Sequence, residues 1–554
     1  MFDIIIRNGR IVDGSGIPAF GGDLGIADGR IRHVGGHIAA AAEREIDAGG
    51  RVVAPGFIDP HTHFDAQLLW DGQARPALEH GVTTVVHGNC SLSLAPLKVA
   101  DRPKLVRMFQ QIEEMPDAAF NGAFTWTWEN FSDYVGAMRG RLAVNVAPLA
   151  GHSPIRMWVM GEAAQQRAAT ADEIRAMQEV LRSCLEAGAV GLSTSYVDMD
   201  ENLAPVPCRY AHHDEIDALA AVLGEFGRML QVVPEFYSTD ITVARVDQLA
   251  ELSLRHGIPT TFSPLFDAAV VPDNVPRVLA RVAEQVARGA RVWPQVQTRP
   301  IDISFSLDMA SLYFVTLPMW YMVLRLPREP KLAMLGDPGT RQGLIDAAEP
   351  GGDTQRFASL RVRDSRDASL IGRTLGDIAA ERGSTPAGVM IDLSLDEDLG
   401  VHFLAASMGH EDPSRIGPIL ANEHVHVGAS DGGAHIQSFA TYGDTAYLFS
   451  EFVRRGRHLT LEHAVRKITG DTAQIWGLAD RGLLRAGLAA DVVVFDPDTI
   501  ARGDELPTRD MPGSGMRYVR SSRGVDTVIV NGEIAWTAAD GYSDARPGVI
   551  ASAG

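Results

Sequence analysis

The sequence predicts an α/β protein. It comprises a (β/α)8 TIM-like barrel, a small β-sandwich domain built from both termini, and an insertion between barrel strands seven and eight. Three observations carry this expectation. Both ends of the chain read as short strands joined by tight turns. The middle alternates short apolar strands with helical patterns, which argues for a parallel sheet and most simply for a barrel. Roughly 120 residues separate the last two of these strands, too many for a plain loop.

At the start, Ile4-Ile5-Ile6, Arg10-Ile11-Val12, Asp23–Ile26 and Arg30–Val34 alternate with Asn8-Gly9, Asp13-Gly14 and Asp28-Gly29. Asn-Gly and Asp-Gly are strong hairpin signals. Asp491–Asp496 and Val525–Gly532 are of the same kind. Residues 1–52 and 482–554 are therefore assigned to the small β domain. Residues 53–481 form the barrel, with an inserted lid or subdomain at about 300–400. Strand one is the apolar run from Val52 to Pro60. The next six are Thr83–His87, Ala143–Ala147, Val190–Ser193, Met229–Val233, Pro259–Phe262 and Arg291–Gln295, and His424–Ala429 is the last. Helical patterns such as Thr170–Ala187 and Val243–His256 lie between them.

The 554 residues carry a formal net charge of −20, which argues against a nucleic-acid partner. Three cysteines, Cys90, Cys184 and Cys208, do not make a disulfide framework. A reducing compartment, and hence a cytoplasmic location, is expected. The opening Met1–Gly9 has an acid and turn residues where a signal peptide has its basic region, so no targeting segment is read. The apolar stretch Met309–Leu324 is interrupted by Pro318 and falls short of the roughly 20 residues that span a bilayer. No membrane partner is expected.

Strand one ends in His61-Thr62-His63. Residues i and i+2 of a strand share a face, so both imidazoles point the same way while Thr62 points away. Two converging imidazoles suit a divalent metal such as zinc, and a metal there implies hydrolytic chemistry. In a barrel the strand ends meet at the C-terminal face. Strand two brings His87-Gly88-Asn89-Cys90, strand four Ser193-Thr194-Ser195-Tyr196, and strand eight Ser430-Asp431-Gly432-Gly433-Ala434-His435. A thiolate and a carboxylate thus join two histidines at one rim.

These segments carry a resemblance. Pro55–Asp65 (PGFIDPHTHFD), Gly81–Cys90 (GVTTVVHGNC), Gly151-His152-Ser153, Ala187–Thr194 and Ser430-Asp431-Gly432 resemble the amidohydrolase superfamily. More narrowly they resemble the N-acyl-D-amino-acid deacylase (D-aminoacylase) family. The resemblance implies zinc at the barrel mouth, one ion or two. His61 and His63 match its strand-one ligands, Cys90 its cysteine ligand, and Asp431 the carboxylate that takes a proton from the attacking water. One departure stands out. Family members carry metal-binding histidines at the ends of strands five and six. Here those segments read Leu230–Phe236 and Thr261–Phe266, without histidine. His212, His213 and Glu235 are the alternative donors, whereas His256 precedes strand six and belongs at the opposite face.

Further residues have expected roles. His152 polarises the substrate carbonyl or binds its carboxylate, or makes a structural hydrogen bond. Tyr196 and His435 contact substrate, and His435 also shuttles protons. Arg299 shares a strand face with Gln295 and Gln297 and holds a substrate carboxylate, or else forms an ion pair. Tyr313, Phe314, Trp320 and Tyr321 line an acyl pocket or pack within the insert. The expected activity is metal-dependent hydrolysis of a linear amide, an N-acyl-D-amino acid, as the small-molecule substrate. A cyclic-amide hydrolase of the hydantoinase kind and a degenerate binding protein on the same barrel are the alternatives. Whether the chain forms a homo-oligomer is left open.

Overall fold

Eight parallel strands form the barrel in the computed structural model, which describes residues 1–268, 271–308, 311–314, 316–348, 355–406, 408–428 and 430–551. They are β1 (Phe57–Asp59), β2 (Val82–His87), β3 (Asn145–Gly151), β4 (Gly191–Ser195), β5 (Met229–Val233), β6 (Thr260–Phe262), β7 (Val292–Val296) and β8 (His426–Val427). Each pairs with the next in sequence order. Ala429, expected at the end of strand eight, lies outside the described residues.

Strands β1 and β8 are too short to form a ladder. The segments that follow them meet instead, through a parallel bridge between Thr62 and Gly432. Asp431 N–H donates to the His61 carbonyl (3.1 Å) and His63 N–H to the Gly432 carbonyl (2.7 Å). The ring of strands therefore closes through the residues that bear its most reactive side chains. Helices cover the outside. Among them are α1 (Arg102–Ile112), α2 (His152–Met160), α3 (Ala171–Glu186), α4 (His213–Phe226) and α5 (Thr239–His256). Helix α3 starts with a capping box between Thr170 and Glu173 and buries Met177, Leu181, Cys184 and Leu185, the i, i+4 stripe of an amphipathic helix.

The terminal segments make one mixed nine-stranded sheet. Its order interleaves the two ends of the chain, because Val52–Pro55 pairs with Phe2–Ile11 on one side and with Val492–Phe495 on the other. The hairpin signals are realised at two sites. Asp28-Gly29 and Asn531-Gly532 each turn a hairpin with positive φ at both residues (53° and 69°, 45° and 83°), the conformation that two-residue turns demand. Asn8-Gly9 is a correction. It makes no turn but a bulge inside the single strand Phe2–Ile11, with Asn8 at φ 54°. A left-handed residue produces a bulge as readily as a hairpin.

A buried polar clasp ties this sheet to the barrel. Asp491 accepts from Asn145 Nδ2 of β3 (3.0 Å) and from Asn531 N–H (2.8 Å), and it pairs with the Arg481 guanidinium. Asn531 Nδ2 in turn donates to Asn145 Oδ1 (2.7 Å). All but Asn531 are nearly inaccessible.

Residues 300–411, with 437–439, form a second compact unit in the β7–β8 connection. It has its own three-stranded sheet (Ile303–Phe305, Arg361–Asp364, His402–Ala405) and its own core. Tyr313, Phe314, Trp320 and Tyr321 are buried in that core, so of their two expected roles they take packing within the insert and not an acyl pocket. The apolar stretch Met309–Leu324 holds, among the described residues, a 3-10 turn at Leu312–Phe314 and the seven-residue helix Pro318–Leu324, and Met309, Ala310 and Val315 lie outside the described residues. No described helix is long and apolar enough to cross a membrane.

Removing the Asp491 carboxylate leaves Arg481 and Asn145 buried without their partner. Asp491→Ala is expected to cost about 3–5 kcal/mol of stability, read as a lowered midpoint of thermal or denaturant unfolding.

Candidate metal centre at the barrel mouth

Three backbone devices aim the side chains at the C-terminal rim. After β1, Thr62 turns away from the barrel axis and bonds β2, its N–H and Oγ1 both donating to the Val86 carbonyl (2.9 and 2.8 Å). Its neighbours His61 and His63 consequently face inward together. After β2, Asn89 Nδ2 donates to the carbonyls of Thr62 and Val86 (3.2 and 3.1 Å) and clamps the two segments. Gly88 sits at φ 83°, where a Cβ would lie 2.5 Å from the Leu149 carbonyl oxygen. Cys90 follows at φ 55° and Ser91 at φ 65°, left-handed conformations that are costly for residues other than glycine. After β8, Asp431 also sits in the left-handed region (φ 58°).

The result is one convergent set of donor atoms. Cys90 Sγ lies 3.4 Å from His61 Nε2 and 3.8 Å from His63 Nε2. Asp431 Oδ1 lies 3.4 and 3.9 Å from the same two nitrogens. Zinc bonds of about 2.0–2.3 Å at tetrahedral angles separate ligand atoms by roughly 3.3–3.8 Å. These spacings suit ligands of one zinc ion, with His61, His63 and Cys90 as the compact group and Asp431 beside the imidazoles, and the donor chemistry of two imidazoles, a thiol and a carboxylate is that of zinc.

The surroundings fit the same purpose. Burial, partly countered by Asp431 and Gln295, lowers the His61 pKa. Burial together with His61, His435 and His87 lowers that of His63 well below its usual value. Both rings are thus neutral, as ligands must be. Gln295 donates its amide to Thr261 Oγ1 (3.2 Å) and is the hydrogen-bonding neighbour of the His61 ring. Glu113 Oε1 lies 3.3 Å from His63 Nδ1. The two atoms lie at ion-pair distance without hydrogen-bond alignment, and a carboxyl group on that side of the ring favours a proton on Nδ1, which leaves Nε2 free to coordinate. Burial, then the negative charges of Glu113, Asp198, Asp431 and Asp65, pushes the Cys90 thiol well up. A divalent cation reverses that balance and turns the thiol into a thiolate ligand.

Glu113 and Glu114 end helix α1 and have no counterpart in the motif reading. Glu114 Oε2 lies 3.0 Å from His435 Nδ1, and the His435 N–H donates to the Glu113 carbonyl (2.6 Å). Burial alone would lower the His435 pKa, but Glu114 more than offsets it and the ring's pKa is raised. Acids at a helix C-terminus oppose the helix dipole, and that local misfit is the sequence signal for their role.

Other expected residues are placed differently. His152 is fully buried, with Nδ1 on Thr194 Oγ1 (2.9 Å) and Nε2 on Glu215 Oε1 (2.8 Å). Glu215 also pairs with Arg156. Both His152 ring nitrogens are committed within the protein, which is the structural alternative among its expected roles. Arg299 makes an ion pair, the second of its two expected roles. Its guanidinium is held by Asp444 (2.9 Å) and the Ser430 carbonyl (2.6 Å). Tyr196 lies under the Arg245 guanidinium, 3.3 Å from ring centroid to Cζ, and Arg245 grips Glu235 through two bonds (3.2 and 2.7 Å). Glu235 is thereby occupied as a donor. His212 and His213 are exposed at the start of α4, and His256 pairs with Asp217 (2.9 Å). None of these joins the cluster.

A parallel barrel that gathers such donors at its C-terminal rim is the architecture of a metal-assisted hydrolase. The chain matches the model of the amidohydrolase family over residues 44–254 and 331–535, and it belongs to that family. It is 30% identical to the D-aminoacylase of Alcaligenes xylosoxydans xylosoxydans over 97% of this chain and 94% of that protein. Among solved structures it is similar to an N-acyl-D-glutamate deacylase from Bordetella bronchiseptica, complexed with zinc and a phosphonate mimic of the tetrahedral intermediate. The TM-score is 0.71 at 28% identity, covering both chains fully. It is also similar to a D-aminoacylase with a binuclear metal centre, at TM-score 0.69 and 27% identity, again over both full chains.

Glu113→Ala is expected to loosen a bound metal about 10- to 100-fold by freeing the His63 ring, measured by competition with a chelator. Glu113→Gln keeps an acceptor for Nδ1 and should retain most of the affinity.

Proposed function

We propose that this amidohydrolase removes the acyl group from an N-acyl-D-amino acid, giving a carboxylate and a free D-amino acid. The observation that carries the reading is the convergence of His61, His63 and Cys90 with the Asp431 carboxylate at spacings suited to zinc. The family membership and the full-length likeness to D-aminoacylase support it. His61, His63, Cys90 and Asp431 would hold the ion. When bound, zinc supplies Lewis acidity at the amide carbonyl and makes water a better nucleophile at neutral pH.

The protein's own groups do the rest. Asp431 sits at the rim with its carboxylate about a quarter exposed (28%), so it reaches both the donor set and entering substrate. It accepts a proton from the attacking water as the water oxygen bonds to the carbonyl carbon. It then gives that proton to the amide nitrogen as the C–N bond breaks, so the amine leaves neutral. His61 and His63, held neutral by burial, do not compete for that proton. His435, anchored on Glu114 (3.0 Å), follows Asp431 by four residues, and the two groups interact electrostatically.

A panel of acylated D-amino acids, their L-enantiomers and cyclic ureides, assayed on metal-replete protein, tests the reading. Hydrolysis confined to the D-series is expected, and activity restricted to cyclic amides would overturn it. Asp431→Asn keeps the shape and removes the basicity. It should lower kcat by at least about 100-fold with little change in fold by circular dichroism.

A further inference from the structure

Strand β5 carries one polar side chain in an otherwise apolar, wholly buried sequence, Met229-Leu230-Gln231-Val232-Val233. Gln231 is completely inaccessible. Its Oε1 accepts the Cys90 N–H (3.3 Å), which fixes the orientation of the amide group. An N–H requires the oxygen, so the NH2 group must point elsewhere. That Nε2 has no hydrogen-bond partner among the described residues.

The neighbours explain why. Gln231 stands opposite Ser193 on β4 and Thr261 on β6. Ser193 Oγ already donates to the Gly88 carbonyl (2.5 Å). Thr261 Oγ1 donates to the Trp293 carbonyl (2.9 Å) and accepts from Gln295 (3.2 Å). The barrel thus holds a buried donor beside the backbone of Cys90 with which none of these neighbours is hydrogen-bonded. Buried donors are almost always paired, and an exception calls for a reason.

The ends of β5 and β6 sharpen the point. The donor atoms at the mouth form a single group, His61, His63 and Cys90, among the described residues, with Asp431 beside it. Past β5, Glu235 is gripped by Arg245. Past β6, Ser263 offers only a hydroxyl. Among the described residues nothing makes a second set of ligands, whereas the related D-aminoacylase has a binuclear centre with one-metal activation and second-metal attenuation. A site with one ion gains from another electrophilic contact on the carbonyl oxygen, and a side-chain amide donor is a group able to make one.

We propose that Gln231 is a catalytic residue at a one-ion site, and that its Nε2 donates to the oxygen of the scissile carbonyl as that oxygen gains negative charge. The inference rests on the amide-hydrolase reading above. Gln231 forms and breaks no covalent bond. It stabilises charge that is greater at the tetrahedral stage than in the substrate, so it acts on kcat more than on binding.

The test uses the full-length, zinc-loaded protein and two variants. Gln231→Leu removes both ends of the amide. Gln231→Glu keeps an acceptor for the Cys90 N–H, replaces the donor, and guards against a failure of the leucine variant to fold. Zinc per chain by mass spectrometry, unfolding midpoints, kcat, KM and the affinity for a phosphonate analogue of an N-acyl-D-amino acid are measured. The wild type and both variants are expected to hold one zinc per chain. In the variants kcat should fall by about 100- to 1000-fold, and phosphonate affinity should drop more than KM changes. Two zinc ions per chain in the wild type would overturn the one-ion site. Unchanged kcat per zinc-loaded chain, with only a lower unfolding midpoint, would make Gln231 structural. If the zinc-loaded wild type hydrolyses no acylated D-amino acid, the underlying reading fails, and the role of Gln231 fails with it.

Discussion

Two backbone hydrogen bonds at the seam of the barrel hold the rest of the site in place. Strands one and eight are short, and the ring closes just beyond them, where Asp431 N–H meets the His61 carbonyl and His63 N–H meets the Gly432 carbonyl. These bonds fix the relative height of two segments distant in sequence. They also set the carboxylate of Asp431 against the two imidazoles without any side-chain contact having to do so. A shift of one residue in that pairing would turn the histidines outward and bring Thr62 in, because side chains alternate along extended backbone. The left-handed conformations at Cys90 and Asp431 are tolerable only because the seam and the Asn89 clamp over-determine them.

The mouth is strongly acidic. Asp65, Glu113, Asp198 and Asp431 all act on the Cys90 thiol. Glu113 is itself pushed well up, by burial first and then by Asp431, Asp198, Asp65 and Glu114, and burial holds Asp198 at about 6. Such a concentration of buried negative charge is expensive on its own. A divalent cation relieves it, which gives this region a thermodynamic reason to bind metal beyond the four groups that touch it. The buried ring of Gln295, Thr261 and Gln231 adds neutral polar groups just inside the rim, where they orient without adding charge.

Much of the fold was legible in the sequence because barrel strands and their helices announce themselves by period and by punctuation. The donor residues were legible because each follows a strand within a short motif. What stayed hidden has physical causes. His152 and Arg299 looked like ligand-binding groups, yet each is consumed by an internal partner, Glu215 and Asp444, that lies far along the chain and carries no motif. Glu113 and Glu114 sit at the end of an ordinary amphipathic helix, and only their clash with the helix dipole sets them apart. Gln231 lay in a segment noted only for its lack of histidine. Its hydrogen-bond partner is the Cys90 N–H in the turn after β2, which no local pattern records.

The interleaved terminal sheet has a consequence for how the protein acquires its structure. Residues 52–55 find their antiparallel neighbour at 492–495, so that pairing waits until almost the whole polypeptide has left the ribosome. Until then one edge of an apolar strand stands open, and open strand edges recruit other chains. Contacts so remote in sequence slow folding. Assembly of this sheet should therefore be limited by late docking of the strand at 492–495.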